Sequence, residues 1–243
     1  MSKVIAVTSG KGGVGKSTVS VGLGIALCKK GKKVLLVDMD EGLRCLDIML
    51  GAEESTVFDL SDILMGKEIE DALYKSEAAE ELYFIPAPQN TGMFDYFAFS
   101  SFVNKVSEMF DTVIFDFPAG INPPLYSCLP KDALFLTVAV PDPISVRDAG
   151  AIGKVLSEAG IASRLIINRF VLKRKGKYRF KSIDEIIDGS AQRLIGIVPE
   201  SEELALLSLK HKISHRSKAA KAFSRIASRL LGERLLLPKL KKI

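Results

Sequence analysis

The sequence predicts an α/β fold, a single mostly parallel sheet covered by helices on both faces. Three observations carry that expectation. Strand-like apolar runs recur along the 243 residues, and most are nearly continuous rather than alternating, as strands buried on both faces of a parallel sheet read. Helix-like segments of crossover length separate them. A glycine-rich stretch joins the first run to the first helix.

The strand-like runs fall at residues 4–8, 34–38, 82–86, 112–116, 133–140, 164–168 and 194–198, with helix-like segments at 17–30, 100–109, 144–159, 183–189 and 218–231. In the segment 100–110, Phe102, Val103, Val106, Met109 and Phe110 recur at near-helical spacing, which predicts a face packed on the sheet. Ligands of such sheets bind at the carboxyl ends of the strands, so the residues that close each run deserve a chemical reading.

The first run, Val4-Ile5-Ala6-Val7, leads into Ser9-Gly10-Lys11-Gly12-Gly13-Val14-Gly15-Lys16-Ser17-Thr18. Glycines there let the backbone approach a ligand closely, so several N–H groups converge on phosphate oxygens at the positive end of the following helix. Lys16 then reaches the β and γ phosphates and the Ser17 hydroxyl holds magnesium. Lys11 is an extra cation that an ordinary phosphate loop does not require. The second run closes on Asp38-Met39-Asp40, where carboxylates either hold water around magnesium or orient a water for in-line attack; a helix N-cap with a surface acid is the plainer alternative. The run 112–116 closes on Asp116, followed by Phe117-Pro118-Ala119-Gly120. Alone this is a weak signal, but with the glycine loop it aims another acid at one place.

Charged residues make up 26% of the chain and apolar ones 47%, values of an ordinary globular protein. No run approaches a transmembrane length and no signal peptide is legible, which predicts a cytoplasmic protein. Cys28, Cys45 and Cys128 are too widely spaced for a self-contained zinc site and read as idle thiols. His211 and His215 stand four apart without an acidic partner and read as exposed. The net charge of +5 is unevenly placed: its excess lies in 169–181 and 210–243, where Glu233 is the only acid of the second region. Such asymmetry suggests an anionic partner, a membrane or a nucleic acid, or else solvated faces.

Together these stretches resemble the MinD/ParA family of deviant Walker-type ATPases, and within it the cell-division branch. The resemblance spans residues 3 to about 233 and implies a P-loop NTPase fold of the SIMIBI type. Lys11-Gly12-Gly13-Val14-Gly15-Lys16-Ser17 fits the deviant loop, with Lys11 as its signature residue. Gly42-Leu43-Arg44 with Leu46-Asp47 looks like the first switch, Pro118-Ala119-Gly120-Ile121 like the second, and Ser145-Val146-Arg147-Asp148 like a helix start of the same branch. The resemblance implies ATP-dependent homodimers that hydrolyse ATP to ADP and phosphate, slowly and under partner stimulation. Lys11 of one subunit would reach the phosphates of the other, Asp40 would orient the attacking water, Asp38 and Asp116 would support hydrated Mg2+, and Ser17 would bind it directly. Asp148 would pair with Lys11 when ATP is absent. Asn168, with Arg169, would read adenine, and Pro199 and Glu200 would line the other side of the base; a turn residue is the alternative for Asn168. Gly10, Gly12, Gly13, Val14, Gly15 and Thr18 complete the expected nucleotide contacts. Cys45 and Phe117 depart from the family's usual asparagine and serine in the switches, which are expected to touch partners.

The expected organisation is an ATPase domain over 1–233 and a short apolar and basic tail over 234–243. The resemblance implies reversible association of the tail with the inner face of the cell membrane, division-site placement as the task, and MinE- or MinC-like regulatory proteins as partners. Pro238 spoils a clean helix there. A buried leucine contributes roughly 1.5–3 kcal/mol and a lysine near an anionic surface about 1, so one tail binds weakly and two in a dimer bind usefully. A frayed end or a strap over the core fits the same residues. The rival function is a ParA-type partition ATPase holding DNA without sequence preference through the basic, aromatic segment 173–181. A flagellar-number regulator of the same family shares the switch and differs in partners.

Overall fold

The computed structural model describes residues 3–42, 44–89, 94–171 and 182–238. The basic segment 173–181, Leu43 and the tail residues 239–243 lie outside them. In chain order the first half runs β1 (Lys3–Thr8), α1 (Lys16–Cys28), β2 (Val34–Asp38), α2 (Leu46–Leu50), α3 (Leu60–Leu64), β3 (Tyr74–Lys75), β4 (Leu82–Ile85), α4 (Tyr96–Met109) and β5 (Thr112–Asp116). The second half runs α5 (Pro123–Tyr126), β6 (Leu134–Ala139), α6 (Pro143–Glu158), β7 (Ser163–Phe170), α7 (Ile183–Ser190), β8 (Leu194–Pro199), α8 (Glu202–Ala205), α9 (Leu207–Lys210) and α10 (Lys218–Leu230).

The strands form one sheet in the order β3-β4-β2-β5-β1-β6-β7-β8. All neighbours are parallel except β3, which runs antiparallel to β4 at the edge. The alternation of a strand sorts its side chains between two cores. Ile5, Val7, Leu36 and Ile114 pack under α1, α2, α9 and α10, whereas Val4, Ala6, Leu35, Val37 and Phe115 pack under α3, α4 and α6. Phe102, Val103, Val106 and Phe110 of the α4 segment are buried on the sheet as their spacing predicts, and Met109 is partly buried beside them. At the edge, the Tyr74 hydroxyl accepts from the Val57 and Phe58 amides at 2.8 and 2.9 Å.

Helix starts are fixed by side chains that satisfy otherwise orphaned amides. Asp95 accepts from Phe97 and Ala98 at the start of α4, Asp142 from Ile144 at α6, and Ser217 from Ala220 at α10. The helices α1 and α10 lie against each other so closely that a Cβ on Gly22 would stand 2.3 Å from the Phe223 ring. The Lys3 ammonium donates to the Leu230 carbonyl, and Arg229 Nη1 to Ile195 O at 2.6 Å. Both bonds pin the end of α10 at the amino-terminal edge of the sheet. Beyond it residues 233–238 form no regular element, and Arg229 also donates to the carbonyls of Leu235 and Leu236 at 3.0 and 2.9 Å.

Candidate functional site

The strand order reverses around β1, which lies between β5 and β6, and the glycine loop leaves the sheet at that point. Gly15 stands at φ 93, in the left-handed region, and turns the chain into α1. A Cβ on it would lie 2.4 Å from Asn168 Nδ2, so position and neighbour both require glycine. Lys16 follows in the first turn of α1 and is buried, 7% exposed. Ser9 Oγ donates to Lys11 O at 2.8 Å and stiffens the start of the loop.

Asp38 and Asp116 close neighbouring strands in register, so two carboxylates share the floor beneath the loop. Asp38 accepts from the amides of Asp40, Cys45 and Leu46 at 3.1, 2.9 and 3.1 Å. These three bonds fold the first switch back over the end of β2. Asp116 accepts from Ser20 Oγ at 3.1 Å. Burial pushes Asp38 up to about 6 and Asp116 up to about 7; the charge of Asp38 adds to the rise at Asp116, while Ser17, Lys16 and Ser20 oppose it. Such a pair is a poor place for two bare negative charges and a good one for a hydrated divalent cation beside Ser17. The donor set therefore fits magnesium. Ser20 was not legible as a functional residue, although its place one helical turn after Lys16, in an otherwise apolar helix, is a signal.

The second switch is laced to the loop by backbone: Phe117 N donates to Val7 O at 3.0 Å and Gly120 N to Ser9 O at 2.8 Å. Phe117 departs from the expectation of a partner contact. It is 1% exposed and stacks on Tyr126 with ring centroids 5.7 Å apart, because an aromatic cluster with Phe115 and Phe135 fills the space beneath the switch. No sequence motif announces Tyr126, yet its hydroxyl donates to Gly120 O at 3.0 Å. In the first switch Arg44 is tied to the buried Asp47, Nε to Oδ2 at 2.7 Å.

Lys11 is half-exposed and its Nζ lies 3.8 Å from Asp142 Oδ2, not against Asp148. Asp148 pairs with Arg147 at 3.0 Å instead, its immediate neighbour on α6. Asp142, the cap of that helix, is the acid that meets the Lys11 ammonium, which the sequence did not reveal, while Asp148 packs on the loop backbone so closely that a Cβ on Gly10 would stand 2.5 Å from its own. Asp40 is half-buried with its amide on Asp38. Asn168, 3% exposed, donates Nδ2 to Val14 O at 2.8 Å, so its first role here is to brace the phosphate loop. Arg169 follows at φ 52, and Pro199 pairs with Phe170 at the adjacent strand end, with Glu200 N donating to Phe170 O at 3.0 Å. Arg169, Pro199 and Glu200 thus stand with Asn168 at the carboxyl ends of β7 and β8, and Asn168 is the one of them shown bonded to the loop.

The outlying expectations resolve simply. Burial pushes the thiols of Cys28 and Cys45 up to about 12 and about 11, which keeps them protonated. His215 is exposed, but His211 is half-buried, capping α9 at φ 52 against Gly51. Among the described residues no cluster of His, Cys, Asp and Glu suits a structural metal, and no helix is long and apolar enough to cross a membrane.

Residues 5–214 match the family described as the CobQ/CobB/MinD/ParA nucleotide binding domain. The septum site-determining protein MinD of Thermotoga maritima is 34% identical over 96% of this chain and 89% of its own. The solved MinC:MinD cell division complex of Aquifex aeolicus superposes with a TM-score of 0.88 at 33% identity, covering 98% of this chain and 99% of the other. The MinD of Pyrococcus horikoshii complexed with Mg-ADP gives 0.81 at 27% identity, covering 95% and 96%.

Proposed function

Since the chain belongs to the CobQ/CobB/MinD/ParA nucleotide-binding family, whose MinD and ParA members are ATPases, we propose that it is a MinD-like switch ATPase in division-site placement, cycling between an ATP-held dimer and a monomer. The observation that carries this reading is the geometry beneath the glycine loop. Lys16 is buried over two adjacent carboxylates, while Lys11 stands half-exposed at the rim with only an ion pair of 3.8 Å.

Bound magnesium would supply charge neutralisation between the β and γ phosphates. The chain's own residues do the rest. The loop amides and Lys16 hold the phosphates, Ser17 offers a hydroxyl to the cation, and Asp38 and Asp116 accept from its water shell. Asp40, in the same turn, would orient the attacking water. Asn168 keeps its amide on Val14 O and leaves its carbonyl oxygen for a base edge, with Arg169, Pro199 and Glu200 around it. Lys11 can leave its weak pair with Asp142 and serve the phosphates of a second copy, where a cation on developing charge couples dimerisation to hydrolysis.

The domain over 1–233 carries this chemistry, and the tail over 234–243 is the proposed attachment to an anionic membrane, with a MinC-like protein as partner and MinE-like stimulation of turnover. Leu236 is 92% exposed in the described part of the tail, an apolar side chain with nothing covering it. The test is the Lys11→Ala variant. It should bind ATP with Mg2+ as the unaltered protein does yet lose at least tenfold in turnover and fail to dimerise, read by fluorescent-nucleotide titration, phosphate release and light scattering. Unchanged turnover overturns the switch reading.

A further inference from the structure

A groove of about 420 Å³ runs between α1 and α10, on the face away from α4 and α6. Its floor is apolar, built by Ile25, Ala26 and Phe223, and its rim is basic, built by Lys29, Lys30, Lys221 and Arg225. The packing of Gly22 on Phe223 sets the spacing of the two helices and so the width of the groove. On α10 the cations recur as Lys218, Lys221, Arg225 and Arg229, three to four residues apart, which lines them along one side of the helix. Among the described residues Lys29, Lys221 and Arg225 have no acidic partner, and only Lys30 is matched, by Glu233 at 3.4 Å.

We propose that this groove docks anionic phospholipid, giving the protein a membrane contact on the α1/α10 face besides its tail. The inference rests on the membrane reading above and extends it to the folded domain. Charge complementarity selects the occupant. A rim of cations, all but Lys30 without an acidic partner among the described residues, attracts phosphate, each worth about 1 kcal/mol near an anionic bilayer. The volume falls in the ~300–1,000 Å³ range of pockets that hold small molecules, and an apolar floor beneath a basic rim suits a headgroup with the first carbons of its chains. Lys239, Lys241 and Lys242 of the same chain would offer this rim like charge rather than complementary charge. Duplex DNA would use the cations and leave the apolar floor idle. The tail begins where α10 ends, and Arg229 holds Leu235 and Leu236 by their carbonyls. Groove and exposed leucines thereby stand on adjoining surface and can meet one bilayer.

The experiment is co-sedimentation of the full chain with phosphatidylglycerol vesicles, with ATP and Mg2+, in five proteins: unaltered, Lys221→Glu/Arg225→Glu, the milder Lys29→Gln/Lys221→Gln, the tail variant Leu236→Glu, and the reversal combined with Leu236→Glu. The charge reversal should weaken vesicle binding at least tenfold and the neutral pair about threefold, with ATP affinity and thermal midpoint unchanged. Combining the reversal with Leu236→Glu should multiply the two losses, as separate contacts do. Groove variants that bind vesicles like the unaltered protein, while Leu236→Glu alone abolishes binding, overturn the groove and leave the tail reading standing. Loss of binding to a duplex oligonucleotide with vesicle binding intact also overturns it, by making the face a nucleic-acid surface. Should the reversal lower the thermal midpoint, the neutral pair decides by the same threefold criterion.

Discussion

Asp116 is the residue on which the site's electrostatics turn. Its carboxyl titrates near 7 in the fold because burial and Asp38 both disfavour its charge, whereas an unfolded aspartate titrates near ~3.9. The native state thus binds more protons than the unfolded one between those values, and the nucleotide-free protein loses stability as pH rises through that window. Above about 7 the loss is complete and constant. Asp116→Asn removes the charge while keeping an acceptor for Ser20. Measured with chelator present, its thermal midpoint should exceed that of the unaltered protein at pH 8, by an energy on the order of 1 to a few kcal/mol, and the gap should narrow toward pH 5. A gap that widens on acidification refutes the assignment. The same variant should bind Mg2+ with ATP more weakly, since a cation is what makes the charged pair favourable.

At the scale of elements, the second switch is held by what lies under it. Phe117 stacks on Tyr126, and the Tyr126 hydroxyl holds Gly120 O, so core packing and switch position are joined. Phe117→Ser should cost about 3–5 kcal/mol, the range for deleting a buried phenyl ring, and expose the amides of residues 119–122 to faster hydrogen exchange. A loss below about 1 kcal/mol would mean that the switch is not braced this way. Sequence reading saw Phe117 only as a departure from a pattern, since a single apolar residue after a strand does not announce which layer it joins. The long elements were legible for the opposite reason. Seven strands read as apolar runs, most of them nearly continuous, and the helices α1, α4, α6, α7 and α10 are long enough to show a period. The helices α2, α3, α5, α8 and α9 span four or five residues each, too short for a repeating face. β3 is shorter still, and its position is set by a tyrosine hydroxyl bonded to distant backbone.

For the whole molecule, the chemical stretches were legible because each closes a strand, and parallel strands bring their carboxyl ends to one edge. What escaped was the partner of Lys11, since Asp142 caps α6, Asp148 lies within it, and only the packing of that helix decides which one reaches the Lys11 ammonium. The two-copy cycle gives Asp40→Ala a distinct expectation. With its water unoriented, hydrolysis should fall by at least tenfold while ATP binding persists, so the protein should accumulate as a dimer in light scattering under saturating ATP and Mg2+. A monomer under those conditions counts against the cycle. The fold also restricts how copies assemble. An open sheet edge is a template on which further chains can add as strands, and proteins concentrated on a surface are the most exposed to that hazard. Here one margin of the sheet ends in two residues, Tyr74 and Lys75, set antiparallel to everything beyond β4 and finished with a lysine. Templated growth has almost no ladder to extend on that side. If the proposed membrane attachment holds, crowding many copies onto a bilayer would therefore not seed fibres from this margin.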